Sequence, residues 1–339
     1  MKLLLAITLL LSPAQDPAPA TFSAQSQLVL VPFHVARDKF YVSDLKASDV
    51  VLLEDGHPRP FTTFEAPDAR KRTLELVLLF DSSFAAEGNS AWDLHRIYGF
   101  INEWNEAHSR RILEQGKADV LASAYRFDQS HLQRLCPANA DPKALVAAFQ
   151  QLLTPIPAAE ALTLTLPPGS RIGPATQQGV PAWTNQAGIA TLQQAVKTPD
   201  RVSRALVVFS RGMAEDSKNL SIAAVNLGVP IYPVVLQANF TSVRDAEGNR
   251  RNDIHIAQPW PQEPLRNLAS ATGGSYFDVF AIDANRMREI LESVKNEVLS
   301  QYIVGFPPAA GTPKEHRLEV RVTSKSSGQV IDGKRTTNY

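Results

Sequence analysis

The chain has 339 residues, 44% of them apolar and 20% charged, which is material for two or three domains with a sizeable core. Its 34 basic residues balance 34 acidic ones, so it exerts no general electrostatic pull on nucleic acid or on an anionic membrane. The single cysteine, Cys136, excludes an internal disulfide and leaves stability to the core.

Met1 and Lys2 precede a run of mostly apolar residues over 3–11, followed by Ser12-Pro13-Ala14. This is the pattern of a secretory signal over residues 1–14. The run is too short to cross a bilayer, which takes roughly 20 apolar residues. No cysteine follows it that could carry a lipid at that point. The expectation is an exported chain, periplasmic or secreted, with no membrane insertion after cleavage. Residues 15–27 are rich in Pro, Ala, Gln and Ser and are expected to be a disordered lead.

Residues 28–66 form a β segment in this reading. Strands are expected at 28–35, 40–42 and 49–54. The last is closed by the turn pair Asp55-Gly56 and partnered by 59–65. So few strands make a marginal sheet, and the segment needs a partner from elsewhere.

From 72 to 299 the pattern alternates. Strands are expected at 73–80, 117–127, 203–210 and 229–236, and helices at 92–114, 142–153, 186–197, 216–227 and 262–271. In one further, final helix, Met287, Ile290, Leu291, Val294 and Val298 share one face. Cys136 is expected as a small apolar residue on a strand. The fold class is therefore α/β, with a mostly parallel sheet and helices on both faces. Such sheets bind ligands beyond the C-terminal ends of their strands. Asp81 and the pair Ser210-Arg211 fall at such ends. Two long insertions, 154–183 with six prolines and the polar 237–261, are expected to emerge near them.

Residues 300–339 return to β structure, with a strand at 316–323, and are expected to pack with 28–66 into one small β domain. Val320 and Val322 would be covered by Leu28, Leu30 and the run from Val51 to Leu53.

The strand at 73–80 delivers Asp81-Ser82-Ser83-Phe84-Ala85 to its tip. This segment resembles the opening motif of von Willebrand factor A domains, Asp-x-Ser-x-Ser. Four further stretches resemble a VWFA-related protein of the Acidobacteria type, in the same order. They are 42–56 with Asp49-Val-Val-Leu-Leu-Glu-Asp-Gly56, 269–276 with Ala-Thr-Gly-Gly-Ser-Tyr276, 301–308 and 335–339. The resemblance implies a von Willebrand A (Rossmann-like) domain flanked by β segments. It also implies a metal-ion-dependent adhesion site, where Asp, Ser and Ser meet a Thr and a second Asp around Mg²⁺.

Carried over residue by residue, that site is degenerate. Asp81 and Ser83 match, with Ser82 between them, while Ala85 replaces the second Ser. Gly188-Ile-Ala-Thr191 resembles the second loop, with Ala190 where the Thr belongs and Thr191 one residue off. Arg211 stands where the second Asp belongs, and its fixed charge repels a cation. Glu215 and Asp216 could substitute in another register. The expectation is a site without metal, in which Arg211 pairs with Asp81, or else a residual Mg²⁺ site using Asp81, Ser83 and Thr191. Asp81 could also serve only to cap backbone amides.

No Gly-x-Ser-x-Gly elbow and no His-Glu-x-x-His motif occurs, and the seven histidines are scattered. The function expected is therefore a non-enzymatic binding module with a protein partner at the strand tips. The alternative is a divalent-cation-dependent adhesion domain with a non-standard ligand set.

Overall fold

The computed structural model describes residues 28–37, 40–67, 73–82, 99–115, 118–128, 130–165, 183–197, 202–210, 212–213, 217–236, 241–244, 250–253, 262–279, 283–308, 314–323, 328–330 and 333–338. The expected signal at 1–14 and the lead at 15–27 lie outside the described residues.

The larger sheet is built outward from β7 (Thr73–Asp81). Its apolar run has no polar face because both faces are covered. Leu74, Leu76, Leu78 and Phe80 enter one core, while Val77 and Leu79 enter the other. The polar exception is Glu75, 2% exposed, which accepts hydrogen bonds from Ser123 (2.7 Å) and from Arg204 (3.0 Å) on the two neighbouring strands. A buried charge placed in this way is satisfied on both sides.

β7 pairs in parallel with β9 (Ala118–Phe127) and with β12 (Val202–Ser210). Beyond β12 lie β13 (Ile231–Leu236) and β16 (Phe277–Val279), also parallel. Beyond β9 lie β10 (His131–Asn139) and β11 (Leu162–Thr163), each antiparallel to its neighbour. The short β8 (Glu114–Gln115) pairs with the start of β9. Helices α1 (Glu106–Leu113), α2 (Pro142–Gln150) and α6 (Ala284–Leu299) cover one face. Helices α3 (Thr184–Ala195), α4 (Lys218–Asn226) and α5 (Glu263–Thr272) cover the other. Side-chain oxygens start several of these helices: Asn105 caps α1, Asp141 caps α2 and Asp283 caps α6. Cys136 is buried on β10, and burial pushes its thiol pKa up, away from reactivity.

The terminal segments interleave. β1 (Val29–Phe33), β17 (Tyr302–Phe306) and β6 (Thr63–Glu65) form one sheet. β20 (Lys334–Asn338), β18 (Glu315–Val322), β4 (Val50–Glu54) and β5 (His57–Pro58) form a second. A third joins β19 (Gln329–Val330), β2 (Val35–Arg37) and β3 (Phe40–Tyr41). One core serves them all, including Val31, Phe33, Leu52, Tyr302, Val304, Leu318 and Val320.

The contact expected between these segments differs in detail. β18 does not lie across the face of β4. It pairs edge to edge with it, from Leu318↔Glu54 to Val322↔Val50. On β1 the residues turned to this core are Val29, Val31 and Phe33. Leu30 faces the other way, against Gly228 at the end of α4 and against Gly305. Successive strand residues point to opposite sides, so a choice of parity reverses the whole face. Val50 and Leu52, not Val51, supply the inward face of β4.

Both insertions leave from the strand-tip end. β13 delivers the chain there, and 237–261 contains the antiparallel hairpin β14 (Thr241–Arg244) and β15 (Arg250–Asp253) rather than only loop. α2 also ends at the tips, because β10 runs down the sheet and α2 runs back up. The 154–183 insertion holds a 3-10 turn at Ala158–Glu160 and β11, and 166–182 lies outside the described residues.

Two outcomes test this architecture. Removing 312–339 deletes the partner of β4, so hydrogen-exchange protection over 50–54 should be lost while protection over 74–80 persists. Lys295 on α6 is 0% exposed, and its Nζ donates to the Ile112 carbonyl at 3.3 Å. Burial pushes its pKa from 10.5 down to about 8, with Glu292 opposing the shift and Arg111 adding to it. The unfolded chain holds this proton to higher pH than the folded one, so stability rises between those two values and the cost is fully present at neutrality. Lys295→Met should therefore raise urea stability at pH 7, by on the order of 2 kcal/mol, and remove that rise.

Candidate functional site

The parallel register places Phe209 beside Phe80, so the next residues, Ser210 and Asp81, end β12 and β7 side by side. The chain leaves β7 toward β9 on one side and returns to β12 on the other. The crevice between these two tips is therefore the topological switch point of the sheet. Asp81 is 3% exposed and Ser210 is 2% exposed. The Ser210 hydroxyl lies 3.2 Å from Asp81 Oδ2 and 2.8 Å from the Gly212 carbonyl, and its one proton serves one of them at a time.

Ser82 is spent on structure. Its amide and its hydroxyl both donate to the Phe127 carbonyl, each at 2.8 Å, and lock the tip of β7 to the tip of β9. Ser83, Ala85 and Arg211 lie outside the described residues, and with them the expected pairing of Arg211 with Asp81.

α3 precedes the parallel strand β12, so it runs against the strands and its first turn stands at the strand-tip end. That turn begins with Thr184, 0% exposed, whose hydroxyl has no hydrogen-bond partner among the described residues. Asn185 accepts from the Leu220 amide at 3.0 Å and pins this end of α3 to α4. Ala190 and Thr191, the positions expected to supply the second loop, are instead inside α3, roughly 9 Å farther along its axis at 1.5 Å per residue. Both are buried, and the Thr191 hydroxyl also lacks a partner among the described residues. Thr184 is thus the hydroxyl that the sequence reading missed. The signal for it was the start of the helix just after the proline-rich insertion.

A second missed residue is Arg126. It pairs in register with Phe80 on β9 and is 1% exposed. Its guanidinium donates to Gln133 and to the carbonyls of Gln151, Thr154 and Pro155. Burial lowers its pKa, yet a guanidinium stays charged. The charge anchors the root of the 154–183 insertion to the strand-tip end. Nearby, His131 Nδ1 lies 3.2 Å from both Ser130 Oγ and Asp128 Oδ1. Both contacts use one ring nitrogen, so this group clasps a turn and cannot relay a proton between a nucleophile and an acid.

Among the described residues, Asp81 and Ser210 meet in the crevice, and Thr184 stands at the same end of the sheet. Mg²⁺ asks for near-octahedral oxygen ligation through carboxylates. Here the Ser82 hydroxyl is committed elsewhere, Ala85 carries no donor, and the residue after Ser210 is an arginine.

No family model matches the chain, and no curated protein matches it. Among solved structures it is similar to a von Willebrand factor type A protein from Catenulispora acidiphila, at 10% identity and a TM-score of 0.40, over 94% of this chain and 75% of that one. It is similar to the manganese-loaded TRAP protein of Plasmodium vivax, at 11% identity and 0.36, over 86% and 98%. It is also similar to the vWF domain of the type V pili tip protein Mfa5 of Porphyromonas gingivalis, at 15% identity and 0.27, over 42% of this chain and only 39% of that one. The chain is similar in fold to von Willebrand factor A domains. At these scores the likenesses add nothing on activity, and the α/β architecture rests on the strand order and the switch point described above.

Thr184→Val replaces a buried hydroxyl that has no described partner by a methyl group of nearly the same shape. An unsatisfied buried hydroxyl costs about 1–3 kcal/mol, so the variant should be as stable as the parent or more so in urea unfolding. A loss above roughly 1 kcal/mol would show that the hydroxyl is engaged.

Proposed function

We propose that the chain is an exported, non-enzymatic interaction module that binds a protein partner at the strand-tip face without a resident cation. The observation that carries this reading is the crevice itself. Asp81 and Ser210 are buried together at the switch point, and the two insertions emerge around them. A buried carboxylate that already takes a hydrogen bond needs no metal to be tolerated there. The Ser210 hydroxyl faces a carboxylate and a carbonyl, and the nearby histidine contacts close a local turn.

One observation favours a second reading, a cation-dependent adhesion domain with a non-standard ligand set. The Thr184 hydroxyl stands at the strand-tip end without a described partner, as a ligand would before its ion arrives.

The two readings separate in one experiment. Purified mature protein is used to capture partners from the envelope fraction of its native host, with Mg²⁺ or with EDTA, beside a Mg²⁺ titration by calorimetry. Capture that survives EDTA, with no stoichiometric Mg²⁺ heat, is the expected outcome. In the same assay Asp81→Asn should reduce capture several-fold, because it removes the buried charge at the crevice. Capture only with Mg²⁺, at one ion per chain, would establish the second reading instead.

A further inference from the structure

Glu54, Asp55 and His316 bring three ligand atoms together where the β4–β5 turn meets the start of β18. We propose that this group is a binding site for a borderline first-row divalent ion, with Zn²⁺ the best match, and that the ion fastens the turn to β18.

The backbone is bent to make the group. Successive residues of a strand point to opposite faces, so Glu54 and Asp55 would ordinarily diverge. Asp55 instead has φ 51, the only positive value outside glycine among the described residues, and Gly56 follows at φ 84. Left-handed values at both residues are the geometry of a two-residue Asp-Gly hairpin turn. Here it turns both carboxylates onto one imidazole. Glu54 Oε1 lies 2.9 Å and Asp55 Oδ2 lies 3.0 Å from His316 Nδ1.

The outer oxygen of each carboxylate is held by a different partner. Glu54 Oε2 is 3.4 Å from Arg59 Nε, and Asp55 Oδ1 accepts from the Arg317 amide at 2.9 Å. Each carboxylate is thereby fixed with its other oxygen turned inward, as outer contacts orient ligands in metal sites. Hydrogen bonding from the Arg317 amide, and then from His316, holds the Asp55 carboxyl below its ordinary range and keeps it ionised. The His316 side chain is 8% exposed, whereas that of Asp55 is 44% exposed. The group is therefore walled on the strand side and open to water on the turn side, as a three-ligand site with a free fourth position requires.

The donor types choose the ion. One imidazole nitrogen with two carboxylate oxygens suits Zn²⁺, while Mg²⁺ and Ca²⁺ favour oxygen alone. Two carboxylates balance the charge of the ion, and the nearby Arg59 offsets part of that attraction, so the affinity should be moderate. The ion would take the place of the proton that Nδ1 now shares between the carboxylates.

The test is calorimetric titration of the full mature chain, stripped with EDTA and dialysed, with ZnCl₂ and separately with MgCl₂. One Zn²⁺ per chain is expected, with a Kd on the order of 10 µM, and Mg²⁺ binding at this group at least tenfold weaker. His316→Gln should abolish the Zn²⁺ heat. Because His316 is buried and that variant can be destabilised, Asp55→Asn on the exposed turn is the second variant. It keeps its hydrogen-bond acceptor and should weaken Zn²⁺ at least tenfold while circular dichroism is unchanged. No Zn²⁺ heat in the parent, or equal affinity in the parent and Asp55→Asn, would show a hydrogen-bonded clasp only and overturn the proposal.

Discussion

Eight consecutive pairs between β7 and β12, from Val202↔Thr73 to Phe209↔Phe80, fix where everything else in the α/β domain goes. The two strands lie far apart in sequence, and the chain between them must supply β9, β10, α2 and α3 before it returns. Parallel neighbours cannot be joined by a tight turn, so the crossover is obligatory. The same ladder decides which side chains share a tip. A slip of one residue would exchange the two cores, because alternate residues of β7 belong to different helix layers. Glu75 guards against the slip. It finds Arg204 and Ser123 only in this register, and out of register it would be a buried charge without partners.

The β unit is tied to the α/β domain by contacts that use the backbone as much as side chains. Leu30 leaves the β core to pack on Gly228, which ends α4 with φ 64. His34 Nε2 is 2.7 Å from the Glu297 carbonyl, and the Glu297 carboxylate accepts from Ser275. Arg335 on β20, 4% exposed, donates to the Pro32 carbonyl within the β unit and passes close to Gly273 at the end of α5. There Gly273 has φ 80, and a side chain at that position would collide with the Arg335 guanidinium. Glycine suits Gly273 because it ends the helix in the left-handed conformation.

What could be read in the sequence follows how much each segment was constrained locally. β7 and β12 carry nearly unbroken apolar runs, and α6 carries a clear helical stripe, so their types were plain. Cys136 was expected on a strand, but the extent of β10 was not plain, because its pairing with β9 shifts register between Arg134 and Asn139 and irregular pairing erases the alternation. The β14–β15 hairpin has no apolar alternation in its sequence that would mark it, and Thr-Ser-Val-Arg against Arg-Arg-Asn-Asp looks like loop. The parity of β1 was illegible for the opposite reason. Leu28, Val29, Leu30 and Val31 are all apolar because α4 covers the side that the β core does not. At the crevice, Asp81 and Ser210 were visible as strand ends. Thr184 was not, since a hydroxyl at a helix start has no distinctive neighbours. Arg126 was hidden because an arginine in a strand suggests a solvated face, and here it is buried by the chain it holds.

The β4–β18 pairing has a consequence in time. During synthesis β4 emerges more than 260 residues before its partner, and at 5–20 residues per second the interval is on the order of 10–50 seconds. Through that interval β4 is an open edge with Val50 and Leu52 unburied, the kind of surface that pairs with the wrong strand. The α/β domain has all its own strands by Val279 and can close first, presenting α4 and α5 as a finished wall. Arg335 lies later still in the chain, so its contact with the Pro32 carbonyl can form only after β1, α4 and α5 have been made. A ribosome that stopped before 318 would release a folded α/β domain trailing an adhesive N-terminal ribbon.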